Sequence, residues 1–121
     1  MTEINRRKIG KTYEDMAVLY LEKCGYEILE RNYRNSYGEI DIIAKKDEVI
    51  VFTEIKFRSD NSHGDPLEAV DSHKQHKITK VALYYYVKKG YSEDVPCRFD
   101  VIAIYGDGTI RHEENAFEMR Y

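Results

Sequence analysis

GEIDIIAKKDEVIVFTEIKFR, residues 38–58, decides how this chain is read. Gly38 to Ala44 and Glu48 to Phe57 are rich in β-branched and aromatic residues, the composition of strands. Lys45, Lys46 and Asp47 lie between them, which predicts a tight hairpin. Strand side chains alternate between faces, so Ile50, Phe52, Glu54 and Lys56 share one. A two-residue turn at Lys46-Asp47 sets Asp41 opposite Phe52 and diagonal to Glu54. Opposed residues of antiparallel strands point the same way, so Asp41 joins Glu54 and Lys56. Diagonal neighbours stand ~7–8 Å apart at their backbones, within reach of one shared ion. A four-residue turn keeps that parity and a three-residue turn reverses it.

Two carboxylates and an ammonium beside isoleucine and phenylalanine are costly unless occupied, because like charges repel and partial burial adds to the cost. A hard divalent cation resolves the conflict. Mg²⁺ accepts a few carboxylates, keeps several waters and takes its remaining ligands from substrate phosphate. Such an ion polarises a phosphodiester and lowers the pKa of a water. Lys56 is then placed to orient or deprotonate that water, or to stabilise the developing charge. The chemistry that follows is metal-assisted phosphodiester hydrolysis. On spacing alone, a solvent-facing Glu54–Lys56 ion pair is the commoner reading of the same residues.

Outward from the hairpin, Ile9, Tyr13, Met16, Ala17, Tyr20, Leu21 and Cys24 recur in steps of three and four. They predict an amphipathic helix over Ile9 to Cys24, stopped by Gly25. Glu14 lies at the edge of its stripe, where it can reach the ion directly or through water. Tyr26 to Arg34 reads as a strand. Ser59 to Gly64 reads as a loop. Asp65, Pro66 and Glu68 are a helix-start signature, and the helical region runs to about Lys89, with a second start at Asp71-Ser72 and a stop at Gly90. Its stripe is Ile78, Val81, Ala82, Tyr85 and Tyr86. Arg98 to Tyr105 and Thr109 to His112 complete a strand order of αβββαββ. That predicts a single α/β domain with a central mixed sheet and a helix on each face, or both on one.

The chain has 121 residues, 42% hydrophobic and 34% charged, the balance of an ordinary globular domain. The longest apolar run, Val81 to Val87, is too short and too polar to span a bilayer, so no membrane partner is expected. No charged segment followed by an apolar one opens the chain, as a secretory signal would require. The two cysteines, Cys24 and Cys97, form no disulfide framework and no C-x-x-C metal site. They read as small buried residues in a reducing, cytoplasmic setting. A net charge of −3, from 19 basic and 22 acidic side chains, argues against a generic nucleic-acid coat. It does not exclude a nuclease, since three carboxylates committed to metal leave acids and bases balanced. The bases cluster at Arg6, Arg7, Lys8 and Lys11, and at Lys74, Lys77 and Lys80.

The helix with Glu14, GEIDIIA with Asp41, FTEIKFR with Glu54 and Lys56, and the helix after them together resemble the PD-(D/E)xK nuclease superfamily, whose core runs αβββαβ. More narrowly, the chain resembles the YraN-like family of small bacterial proteins. The segments that carry this are Gly25-Tyr26, Arg31-Asn32-Tyr33-Arg34, Gly38-Glu39-Ile40-Asp41, Glu54-Ile55-Lys56-Phe57-Arg58, Arg98-Phe99-Asp100-Val101 and Asn115-Ala116-Phe117. Ile40 stands where the superfamily name has proline. The resemblance implies a restriction-endonuclease-like core. It implies Asp41 and Glu54 as ligands of Mg²⁺ or Mn²⁺, Lys56 as the catalytic lysine, Glu14 as an accessory acid and the Ile55 backbone carbonyl as a further ligand. The implied activity is an endonuclease on DNA, including branched or structured DNA in repair or recombination. The arrangement is similar to archaeal Holliday-junction resolvases, which act as dimers, so a homodimer is expected. The alternative is an inactive nucleic-acid-binding or protein-interaction module that keeps the fold. The presence of Asp41, Glu54 and Lys56 together favours the enzyme.

Arg34 and Arg58 flank the site strands and are candidates for phosphate contact, as are Lys74 and Lys77 on the second helix. Glu39 shares a face with Asp41 and is a further candidate carboxylate for the site, ranked below Glu14. His73 and His76 have a metal-ligand spacing but no converging cysteine or carboxylate. Of Tyr84, Tyr85 and Tyr86, the last two read as core.

Overall fold

A computed structural model describes residues 11–59 and 70–121 in full and the backbone of residues 3–10. The elements run α1 (Glu3–Lys23), β1 (Glu27–Asn35), β2 (Gly38–Lys46), β3 (Val49–Arg58), α2 (Ser72–Lys89), β4 (Cys97–Tyr105) and β5 (Ile110–Phe117). The strands form one sheet in the order β1-β2-β3-β4-β5. The β3/β4 pair is parallel and the other three pairs are antiparallel. Parallel neighbours need a long crossover, and α2 lies in that connection.

One helix covers each face. Ala17 and Leu21 of α1 pack with Ile42, Ala44, Val51, Ile102 and Ile104. On the opposite face, Ile78, Val81, Ala82 and Tyr85 of α2 pack with Ile40, Ile43, Ile50, Phe52, Phe99 and Val101. Both sides of β3 are therefore buried, which explains its nearly continuous apolar run. Each helix stops where a glycine takes a left-handed φ, 91° at Gly25 and 71° at Gly90. The Gly90 N–H reaches the carbonyls of Tyr86 and Val87. α2 starts at the second of the two expected positions. Asp71 caps it, its side chain accepting from the Lys74 N–H. The earlier signature at Asp65-Pro66-Glu68 and most of the expected loop lie outside the described residues, as do the side chains of Arg6, Arg7 and Lys8.

Three expectations need correction. The hairpin turn is Asp47-Glu48, not Lys46-Asp47, with φ of 50° and 66° and Lys46 paired to Val49. Two consecutive left-handed residues make the turn whose twist matches the strands it joins. β5 is twice the expected length, because a bulge between Phe99 and Val101 and a left-handed Asn115 let HEENAF continue the ladder without apolar alternation. Cys24 is exposed, since it falls just beyond the last turn of α1, and Cys97 is half-buried.

Candidate active site

The corrected turn moves Asp41. Pairing runs through Ile43↔Phe52 to Ile42↔Thr53, so the next step sets Asp41 level with Glu54 rather than with Phe52. There the two strands part. β2 stays paired to β1 as far as Asn35↔Gly38, while β3 stays paired to β4 as far as Arg58↔Tyr105. Asp41 stands in the crotch of this fork. Its Oδ2 accepts the Ile55 backbone N–H at 2.8 Å, taking the place of a ladder carbonyl.

Simple alternation fails at Asp41. Ile40 packs in the α2-side core and Ile42 in the α1-side core, although they are two apart. Across the β1/β2 ladder, Asn32 has φ 52° between the pairs Arg31↔Ile42 and Tyr33↔Ile40. Asparagine tolerates this conformation better than most residues. Both strands kink together, and Asp41 opens onto a cavity on the α1 side that Glu14, Ile55 and Phe57 also line. Glu54 follows Ile50 and Phe52 in alternation, and its carboxylate meets Lys74 of α2.

The side chains at the fork are strongly coupled. Glu54 Oε2 lies 3.3 Å from Lys74 Nζ and 4.0 Å from Lys56 Nζ, with the Glu54 side chain only 5% exposed. Burial, and then the negative charge of Asp41, push the Glu54 carboxyl up to about 7 against the pull of the two lysines. Burial likewise raises Asp41, opposed by the Ile55 N–H, Lys74 and Lys56. Burial and repulsion from Lys74 lower Lys56. Burial works to lower Lys74 too, but Glu54 outweighs it and Lys74 is raised. Two desolvated acids and two bases thus share one small volume, the pattern in which pKa values at a functional site depart from ordinary.

Carboxylate oxygens are hard ligands, and a divalent cation such as Mg²⁺ or Mn²⁺ would favour their ionised forms and offset the cost of their burial; it needs only one or two protein carboxylates when water and phosphate complete the shell. Asp41 and Glu54 are the candidate pair. Among the described residues, no group of three or more His, Cys, Asp or Glu side chains is placed to hold a metal. Glu14 lines the same cavity as Asp41 and Ile55. Both its oxygens are engaged, one by Arg31 Nε at 2.7 Å and the other by Asn32 Nδ2 at 2.9 Å. Glu14 therefore braces the kinked β1 next to Asp41.

The remaining candidates divide. Lys74, expected to meet phosphate, sits on Glu54. Lys77 is exposed beside it, on a second cavity shared with Gly38 and Glu39. Arg34 is exposed and paired with Glu39 at 2.8 Å. Arg58 is half-buried, and its Nε has no hydrogen-bond partner. His76 Nδ1 lies 3.1 Å from the Arg120 carbonyl, and His73 lines the second cavity. Tyr85 is core, Tyr84 is exposed, and Tyr86, expected in the core, is only partly buried against it, because successive helical residues turn to different faces. Sequence reasoning named Asn32 only within a segment that carries the family resemblance and gave it no role at the site.

The two-helix, five-stranded mixed sheet in αβββαββ order fits a restriction-endonuclease-like core. The chain belongs to the uncharacterised protein family UPF0102, whose family model matches residues 13–104. It is similar to a UPF0102 protein of Fusobacterium nucleatum, 50% identical over 104 residues that cover 86% of this chain and 87% of that one. A UPF0102 protein of Thermodesulfovibrio yellowstonii is 49% identical, over 93% and 97% of the two chains. One of a Sulfurihydrogenibium species is 44% identical, over 96% and 99%. Among the described residues no helix is long and apolar enough to cross a membrane.

Proposed function

We propose that the chain is a divalent-metal-dependent endonuclease of the PD-(D/E)xK superfamily that hydrolyses phosphodiester bonds in DNA. The observation that carries this reading is the fork. Asp41 and Glu54 stand level where β2 and β3 part, near enough for the charge of Asp41 to raise Glu54, with Lys56 beside Glu54 and Asp41 pinned by the Ile55 N–H. Asp41 and Glu54 would hold Mg²⁺ or Mn²⁺, with the Ile55 carbonyl as a candidate third donor. When bound, the ion polarises the scissile phosphate and makes a water more acidic. Lys56, its pKa lowered by burial and by Lys74, orients that water and stabilises charge building on the phosphate oxygens. Lys74 balances the Glu54 carboxylate. Glu14 keeps β1 in its kinked form, which holds Asp41 in the crotch.

The test uses supercoiled, linear and four-way-junction DNA with Mg²⁺ or Mn²⁺, comparing wild type with Asp41→Ala and Lys56→Ala. Metal-dependent cutting by wild type alone supports the reading. Equal inertness of all three proteins on every substrate removes it. Equal activity of all three marks a contaminant. The inactive-module reading has one observation in its favour, that Glu54 is already neutralised by two lysines. It predicts DNA binding without cutting.

A further inference from the structure

A cavity of about 620 Å³ opens beside Asp41 on the α1 side of the sheet. That size lies within the roughly 300–1,000 Å³ range of sites that hold small organic groups. One wall is aromatic. Phe57, the residue after Lys56, is 44% exposed. Tyr13 of α1 backs it, with ring centroids 4.3 Å apart and planes 22° from parallel. A phenylalanine left in water at the end of a strand gains nothing for folding by its exposed area. Backed by a second ring, it is a rigid, flat surface at the mouth of the site.

Charge separates the possible occupants. Lys11 and Arg31 line the same cavity, and Arg31 is held by Glu14 and Asp15. The Glu14 carboxylate is capped by Arg31 and Asn32, so it does not confront an anion bare. An aromatic shelf with Lys11 on the same lining, beside the Asp41 carboxylate, matches a nucleotide, with its base on the ring and its phosphate toward Lys11 and the fork. A base within a duplex has both faces covered by its neighbours, so only an unstacked base has a face to give. Stacking of this kind tolerates any base, because each has a π-face.

We propose that Phe57, backed by Tyr13, stacks one unpaired nucleobase next to the cut, so that the substrate is a strand that is single or locally unpaired at that point. This rests on the nuclease reading for its phosphate but not for its base.

The experiment scans 2-aminopurine along a single-stranded oligonucleotide and along the same strand in a duplex, with protein added in Ca²⁺ to separate binding from cutting. Wild type should quench fluorescence at one position of the single strand and at none of the duplex. Phe57→Leu keeps apolar bulk without a ring. It should abolish that quench and weaken single-strand binding roughly tenfold, with duplex binding changed less than twofold. Phe57→Trp should restore the quench. Wild-type behaviour from Phe57→Leu, equal losses on both substrates, or no DNA binding by wild type overturns the proposal. A ring-dependent quench without cleavage under Mg²⁺ or Mn²⁺ upholds the stacking and rejects the nuclease. Cleavage of gapped DNA that Phe57→Leu leaves unchanged does the reverse.

Discussion

Asp41 serves two masters. Its Oδ2 closes the fork by accepting the Ile55 N–H, yet burial raises its pKa, so its charge is unwelcome in the free protein. The two roles separate by substitution. Asp41→Ala removes the acceptor and leaves a part-buried N–H unpaired, a loss of about 1–3 kcal/mol in urea denaturation. Asp41→Asn keeps an amide oxygen for that N–H and should cost less than about 1 kcal/mol, while losing metal as fully as the alanine variant. Equal destabilisation by both would mean that the hydrogen bond does not hold the fork. Glu54 carries the sharper pH signature. Its folded pKa of about 7 lies above the ordinary 4.5, so the folded state binds the extra proton and stability falls as pH rises between those values. Glu54→Gln mimics the neutral form. It should raise stability by about 1–2 kcal/mol at pH 8 and by little at pH 5, read from thermal melts without metal. A gain independent of pH would contradict the assignment. Asp41, Glu54 and Lys56 stood out as D-x(n)-E-x-K on two apolar strands, and only the family resemblance raised them above a plain ion pair. The part played by Lys74 was not legible, because its approach to Glu54 depends on how α2 lies across the sheet.

At the scale of elements, the hairpin shows what a sequence pattern can and cannot fix. Alternation told which residues of β3 share a face, but the register hung on which two residues turn. Asp47 and Glu48 turn although neither is glycine, and Glu48 holds φ 66°. Its contact with Lys45, at 3.6 Å with the Glu48 side chain 88% exposed, offers little in return. Glu48→Gly should therefore stabilise the protein by about 0.5–1 kcal/mol in urea denaturation, since glycine enters the left-handed region freely. Destabilisation would mean that the turn is not as described. Both helix stops were readable from Gly25 and Gly90, and the start of α2 from Asp71. β5 was not readable in full, because its second half pairs through a bulge and carries no period. The kink at Asp41 was equally hidden, for it arises from Asn32 on a different strand.

Across the whole molecule, two buried acids on opposite faces pull stability in opposite directions. Asp100 is fully buried on the α1 side, between Arg98 at 3.0 Å and His112 Nε2 at 2.7 Å, and accepts the Asn115 N–H at 3.0 Å. Burial works to raise it, but the hydrogen bonds from His112, Arg98 and Asn115 prevail and hold it below the usual carboxylate range. A depressed folded pKa gives stability that is present above about 4 and lost as pH falls through the folded value. Glu54 removes stability as pH rises toward 7. Without metal the protein should thus melt highest in mildly acid solution, and Mg²⁺ should move that optimum upward by binding the ionised pair. A melting profile that Mg²⁺ leaves unmoved would count against a site at the fork. Asp100→Asn should cost about 1–3 kcal/mol in urea denaturation, because it removes the charge that accepts from His112, Arg98 and the Asn115 N–H, while Arg98 keeps Glu114 at 3.9 Å.

The central claim is that the fork holds a divalent cation through Asp41 and Glu54. Titration calorimetry with Mn²⁺ at pH 8 tests it most directly, on wild type, Asp41→Asn and Glu54→Gln. The account predicts saturable binding to wild type that weakens about tenfold for each pH unit below 7 and vanishes in both variants. Absence of binding to wild type, or equal binding by all three proteins, would contradict it.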